Sequence, residues 1–220
     1  MENRLIDQQL GTLRDKVLLL GEMAESAVIR AMTALTTRDS ILAQEVLDDD
    51  KLINQMELEI DRLSVEIIAL HQPAAHDLRL VISVAKITPV LERLADHAGN
   101  IAEAVLIINE EPELRQFSEM TIMSQNAAEM LRAALDAFIA EDTDLAIKII
   151  KQDKIIDGSY KKVFSELIGM IINDPTTTTS AAQLLFVAKH LERIGDYVKD
   201  ICELTVYLAE ASIIKHSRKV

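Results

Sequence analysis

The chain has 220 residues, 49% hydrophobic and only 3% aromatic, with 6 Gly, 4 Pro and a net charge of −13. That length buries a substantial core in one large or two small domains, and so few chain breakers exclude the many turns of an all-β fold. The acidic balance and the lack of Trp exclude a basic, base-stacking nucleic-acid face, so any effect on gene expression runs through another protein.

Apolar spacing is helical nearly everywhere and predicts six helices. Met1 to Asp7 leads in as a charged stretch without a signal-peptide core, and the first helix runs from about Leu5 to Thr36. Asp39 or Ser40 caps the second, which runs to about Leu70, and Pro73 marks the next break. The third ends near Asn109, where Glu110-Glu111-Pro112 forms the central boundary. The fourth runs to about Ala140, Asp142 caps the fifth, and Asn173-Asp174-Pro175 ends it. Thr176 to Thr179 reads as a low-complexity loop, and the sixth helix runs to about Ile214 before a short basic tail. Charged residues interrupt every apolar run before it reaches membrane-spanning length, so a cytoplasmic protein is expected. Cys202 is the only cysteine, which excludes an intrachain disulfide and a cysteine-based zinc site; it reads as a small buried hydrophobe.

The pattern helix-Asp-helix-Pro-helix occurs twice. Residues 91–103 lie over residues 191–203 at an offset of 100, with six of thirteen pairs identical. Ala31, Ala34, Asp39, Leu42, Ala43, Asp50, Lys51 and Ile53 match Ala134, Ala137, Asp142, Leu145, Ala146, Asp153, Lys154 and Ile156 at an offset of 103. Matching polar residues go beyond what helical periodicity imposes. The expected fold is all-α: a tandem repeat of two three-helix bundles, residues 1–110 and 111–220, made of long antiparallel helices.

Two acidic rows stand out. On the third helix Glu92, Asp96 and Asn100 are spaced four apart, and so stand one above the other beside the apolar stripe Leu91, Leu94, Ala98, Ile101 and Val105. On the sixth, Glu192, Asp196 and Asp200 repeat the row. Like charges at this spacing repel, and Arg93 and Arg193 at i+1 do not face the row, so a compensating cation is expected. An all-oxygen donor set suits Mg²⁺, Ca²⁺, Mn²⁺ or ferric iron over Zn²⁺ or Cu²⁺. Glu57 and Asp61 on the second helix, and Asp153 and Asp157 on the fifth, are further candidate ligands. The second row is expected to bind more tightly, because Asp200 carries a charge that Asn100 lacks. The competing reading is a solvated acidic face.

His97 and His190 flank the rows without being repeat-equivalent, and read either as structural residues or as ligands or phosphoryl acceptors. Pro89 lies inside the third helix and is expected to kink it, where the sixth has Lys189. Arg79, in the first copy only, reads as free for a partner or an anion.

Gln72-Pro73-Ala74-Ala75-His76-Asp77-Leu78-Arg79, the two Leu-Glu-Arg-x-x-Asp segments at 91–96 and 191–196, and Ile101-Ala102-Glu103 with Ile201-Cys202-Glu203 together resemble the PhoU family over essentially the whole chain. The resemblance implies tandem three-helix bundles and a negative regulator of phosphate uptake and of the phosphate-starvation regulon. Such a protein acts without touching DNA, through the ATPase subunit of the phosphate ABC transporter and a sensor histidine kinase. It is peripheral to the membrane through these partners and a homodimer. The resemblance also implies bound metal ions, iron clusters among them, with manganese, magnesium and zinc as alternatives, held here by Glu92 with Asp96 and by Glu192 with Asp196 and Asp200. Asn100 and Pro89 depart from the family's pattern.

A different class of function is a metal store or a carboxylate-bridged di-iron protein. That class needs Glu-x-x-His pairs, and the residues three before each His are Ile68, Pro73, Leu94, Val187 and Ile213. A phosphotransfer bundle would instead be revealed by phosphorylation of His97 or His190. No Gly-rich phosphate loop or Ser/His/Asp set suggests an enzyme.

Overall fold

The computed structural model describes residues 2–114 and 118–214, and all the regular structure within them is helical. Six long helices follow in order: α1 (Glu2–Thr37), α2 (Ser40–His71), α3 (Ala75–Asn109), α4 (Ser118–Ala140), α5 (Thr143–Asn173) and α6 (Thr178–Glu210). The buried positions Val46, Ile53, Ile60 and Ile67 of α2 recur every seven residues, and Ile149, Ile156 and Val163 repeat them on α5. Such a heptad stripe packs on neighbours at a shallow crossing angle. α1, α2 and α3 pack together as one bundle, and α4, α5 and α6 as the other.

The two inner hairpins turn alike. Arg38 and Glu141 adopt left-handed φ of 55° and 53°, and the following Asp39 and Asp142 cap the next helix through their carboxylates. The backbone N–H groups of Asp39 and Asp142 each reach back 2.9 Å, to the carbonyls of Ala34 and Ala137. Arg38 also donates to the carbonyls of Ile108, Asn109 and Glu111, closing the end of α3.

Two boundaries differ from the sequence expectation. The threonine run is not a loop: Pro175–Thr177 is a 3-10 turn and α6 begins at Thr178. The Asp174 carboxylate accepts from the backbone and hydroxyl of Thr176, and Thr177 and Thr178 donate their hydroxyls to backbone carbonyls, which holds the run in helical turns. At its other end α6 stops at Glu210, because Ala211 takes a left-handed φ of 54°. The basic tail expected after Ile214 lies outside the described residues. α3 is continuous through Pro89.

The bundles join through α3 against α6 and α1 against α4, while α2 and α5 touch only their own bundles. Both junctions run antiparallel. Arg79 near the start of α3 reaches Leu208 near the end of α6, and His97 meets His190. Along the other seam Arg14 approaches Glu141, and Glu25, itself buried, pairs with Arg132. Gly21 lies so close to Leu135 that a Cβ there would overlap it. The grooves between α2 and α3 and between α5 and α6 therefore lie on the outer flanks, and these grooves carry the acidic rows.

Candidate functional site

In the first bundle α2 and α3 bring Glu57, Asp61, Glu92 and Asp96 to one groove. Burial pushes the Glu92 carboxyl above the usual range, helped by Asp96, Glu57 and Asp50, with Arg93 opposing. Glu57 is raised by burial, then by Asp61 and Asp96, and Asp96 by burial and then Asp50. Asp61 and Asp96 are exposed, and Glu57, Glu92 and Asp50 half-buried. Asn100 does not join them: its amide donates 2.9 Å back to the carbonyl of Asp96.

In the second bundle the same groove holds its own cations. Lys199 Nζ lies 2.6 Å from Asp153 Oδ2 and 2.7 Å from Asp196 Oδ1. Lys189 Nζ lies 2.6 Å from Glu192 Oε2, and Arg193 is 3.5 Å from Asp196. Burial works against the Lys199 charge, but hydrogen bonds to the two aspartates outweigh it and raise its pKa. Asp153 is 3% exposed; burial pushes its carboxyl up, Lys199 pulls it down, and half-buried Asp157 adds to the rise. A Cβ on Gly195 would sit 2.5 Å from Asp153 Oδ1, so only glycine lets this carboxylate lie against α6. Asp200 stands apart from the Lys199 bridge in the contacts it makes with α3. It lines a cleft of about 370 Å³ with Lys86 and Val90 of α3 and Tyr207 of α6.

Among the described residues, no three or more His, Cys, Asp or Glu side chains converge into a group that could hold a metal ion as they stand. The fit is therefore one of chemistry. Among the described residues the first groove offers oxygen donors of one sign with Arg93 opposing, whereas the second already pairs its carboxylates with ammonium groups. The expectation that the second row binds more tightly rests on the charge of Asp200, which lines the cleft beside α3, while Lys199 stands between Asp153 and Asp196 in that row.

Other sequence-selected residues settle into structural places. Arg79 is not free: its Nε donates 3.0 Å to the carbonyl of Leu208 and helps close α6. His97 and His190 meet at the seam with Nδ1 atoms 2.8 Å apart, and His97 stacks on Tyr197. Burial, then the neighbouring His190 and Arg193, lower the His97 pKa to about 4, and burial lowers that of His190. Cys202 is fully buried and its thiol is pushed up to about 12, chiefly by burial, so it is not a nucleophile.

Sequence reasoning missed Asp50, Lys189, Gly195 and Lys199. Asp50 was within reach, because the offset of 103 places it under Asp153. The same offset sets Asn54 under Asp157 and Tyr160 over Glu57, so the second-helix contributions to the two grooves are not equivalent. Asn54 donates 2.7 Å to Asp50.

The family model for the PhoU domain matches twice, over residues 17–105 and 120–205. The phosphate-specific transport system accessory protein PhoU homolog of Pseudomonas putida is 40% identical over 209 residues, covering 94% of this chain and 82% of that protein. The PhoU accessory protein of Escherichia coli K12 is 35% identical over 208 residues, covering 94% and 86%. The crystal structure of PhoU from Pseudomonas aeruginosa superposes with a TM-score of 0.90 at 38% identity, covering 94% of this chain and 99% of the other. That of the phosphate transport system regulatory protein PhoU from Streptococcus pneumoniae gives 0.88 at 32%, covering 94% and 98%. With both bundles matched and identity spread over nearly the whole length, the chain belongs to the PhoU family.

Proposed function

We propose that this chain is a non-enzymatic, cytoplasmic negative regulator of phosphate uptake and of the phosphate-starvation regulon. It acts by contact with the ATPase subunit of a phosphate ABC transporter and with a sensor histidine kinase. The observation that carries the reading is the 40% identity to a phosphate-specific transport accessory protein over 94% of this chain. The net charge of −13 supports a route through proteins, since a polyanion repels DNA at long range. Among the described residues no helix is long and apolar enough to cross a membrane, which suits a peripheral partner of a membrane transporter. Exposed Val65, Leu70, Ile172 and Phe186 offer apolar contact area to partners or to a second copy in a homodimer.

Within this reading the first groove takes a hard cation on Glu57, Glu92, Asp96 and Asp50, whose oxygens suit iron, manganese or magnesium. The ion would neutralise carboxylates that otherwise repel, and so couple metal supply to the shape of the α2–α3 flank.

Deleting the gene is expected to leave phosphate-responsive transcription switched on in phosphate-rich medium, and the purified chain to retain the transporter ATPase in pull-down. Normal repression in the deletion strain, or specific promoter binding by the purified protein at physiological salt, overturns the reading.

A further inference from the structure

Repeat-equivalent positions carry opposite electrostatics in the two bundles. Where α6 has Lys199, α3 has Gly99; where α6 has Lys189, α3 has Pro89; and Gly195 corresponds to Ala95. Lys199 bridges Asp153 of α5 and Asp196 of α6 at 2.6 and 2.7 Å, so its nitrogen stands where an ion shared by those two helices would sit. Metal–oxygen bonds of hard cations are only about 2.0–2.6 Å long, so no ion enters between these carboxylates unless the ammonium leaves. Lys189 pairs with Glu192, three residues on along the same helix, at 2.6 Å. The remaining oxygen of Asp153, Oδ1, is buried without a hydrogen-bond partner, and the residue is 3% exposed. A carboxylate so placed needs its cation, because removing one member of a buried pair strands the other.

We infer that Lys199 is a built-in counter-cation that holds the second carboxylate row closed to divalent metal, so that the chain has one metal-accepting groove instead of two. The count of one rests on the metal reading of the first groove; the closure of the second does not. Lys199 acts as an intramolecular stand-in for the ion, tethered and therefore insensitive to metal supply.

The test is Mn²⁺ binding to the full chain, read by calorimetry and by the loss of the free-ion electron paramagnetic resonance signal. Wild type and Asp196→Asn are expected to bind the same single class of Mn²⁺, and Asp96→Asn to lose it. Lys199→Gln, which keeps the side-chain stem, and Lys199→Ala are expected to gain a second class of equal stoichiometry that disappears again when Asp153→Asn is added. Mn²⁺ is also expected to raise the melting temperature of Lys199→Gln by several degrees more than that of wild type, a readout that serves if the alanine variant folds poorly. If wild type binds no Mn²⁺ but the Lys199 variants do, the metal reading of the first groove fails and the closure stands. If folded Lys199→Gln gains no site, or if Asp196→Asn weakens wild-type binding as much as Asp96→Asn does, the inference is overturned.

Discussion

The Asp96 carboxyl stands near Asp50 and Glu92 with Arg93 opposing, whereas Asp196 lies 2.7 Å from the Lys199 ammonium. Asp96→Asn should therefore raise the stability of the metal-free protein by a few tenths of a kcal/mol, roughly the size of a like-charge pair on a helix. Asp196→Asn should lower it by about 0.5–1 kcal/mol, the range of a partly exposed ion pair, and urea denaturation of the two variants reads the opposite signs. Asp153→Asn should cost more, about 1.5–3 kcal/mol, the range of a hydrogen bond to a charged group, because half-buried Lys199 then keeps only Asp196 as its carboxylate partner. The carboxyls of Glu57, Glu92 and Asp96 titrate higher in the folded chain than in the unfolded one. Their stabilising contribution is therefore present below the usual carboxylate range and is lost as pH rises through the raised values. The i, i+4 spacing of Glu92 with Asp96 and of Glu192 with Asp196 was legible in the sequence, whereas the turn of Asn100 back to the carbonyl of Asp96 was not. Lys199 was not, because adjacent residues on a helix differ by about 100° in direction, and packing alone decides whether 199 or 200 turns towards α5.

Among the helices, the two Asp-capped hairpins were legible because Asp39 and Asp142 precede strong apolar periodicity. The left-handed residues before them were not, since Arg38 and Glu141 replace the glycine that such a position favours. Their side chains explain the choice. Arg38 satisfies three carbonyls at the end of α3, and Glu141 accepts from His76 of α3 at 2.8 Å. Arg38→Gly should thus destabilise the chain despite relieving backbone strain of about 1–2 kcal/mol, because charged hydrogen bonds contribute about 1.5–3 kcal/mol net and three carbonyls lose their donor. A melting temperature above wild type would show that strain dominates. Asp39→Ala and Asp142→Ala should each cost about 1 kcal/mol by loss of the cap, measurable in the same melts. The threonine run was misread because its composition resembles a linker, while its hydroxyls in fact bond back to the turn.

At the scale of the whole molecule, the seam between bundles carries an acid-sensitive titration. His97 stays neutral in the folded chain down to about 4, against an ordinary 6.5, because it is buried against His190 and near Arg193. The unfolded chain takes up that proton first, so stability is full above 6.5 and falls as pH drops from 6.5 towards 4. His97→Gln should shrink the fall in melting temperature over that window, with buried His190 accounting for the remainder, and an unchanged slope would place the acid sensitivity elsewhere. That α3 and α6 are central, while α2 and α5 touch only their own bundles, was beyond sequence reasoning, because every helix shows the same amphipathic period. The antiparallel seam also has a consequence for biosynthesis. α3 is covered by α6, whose contacting residues lie 93 to 129 positions later in the chain, as His190 does for His97 and Leu208 for Arg79. At about 5–20 residues per second, the ribosome releases the first bundle with one flank of α3 bare for roughly 5–20 s before its cover exists. During that interval this flank of the nascent chain is uncovered, so a chaperone that shields it, or slowed translation that prolongs the wait, would change the yield of folded protein without altering the stability of the finished one.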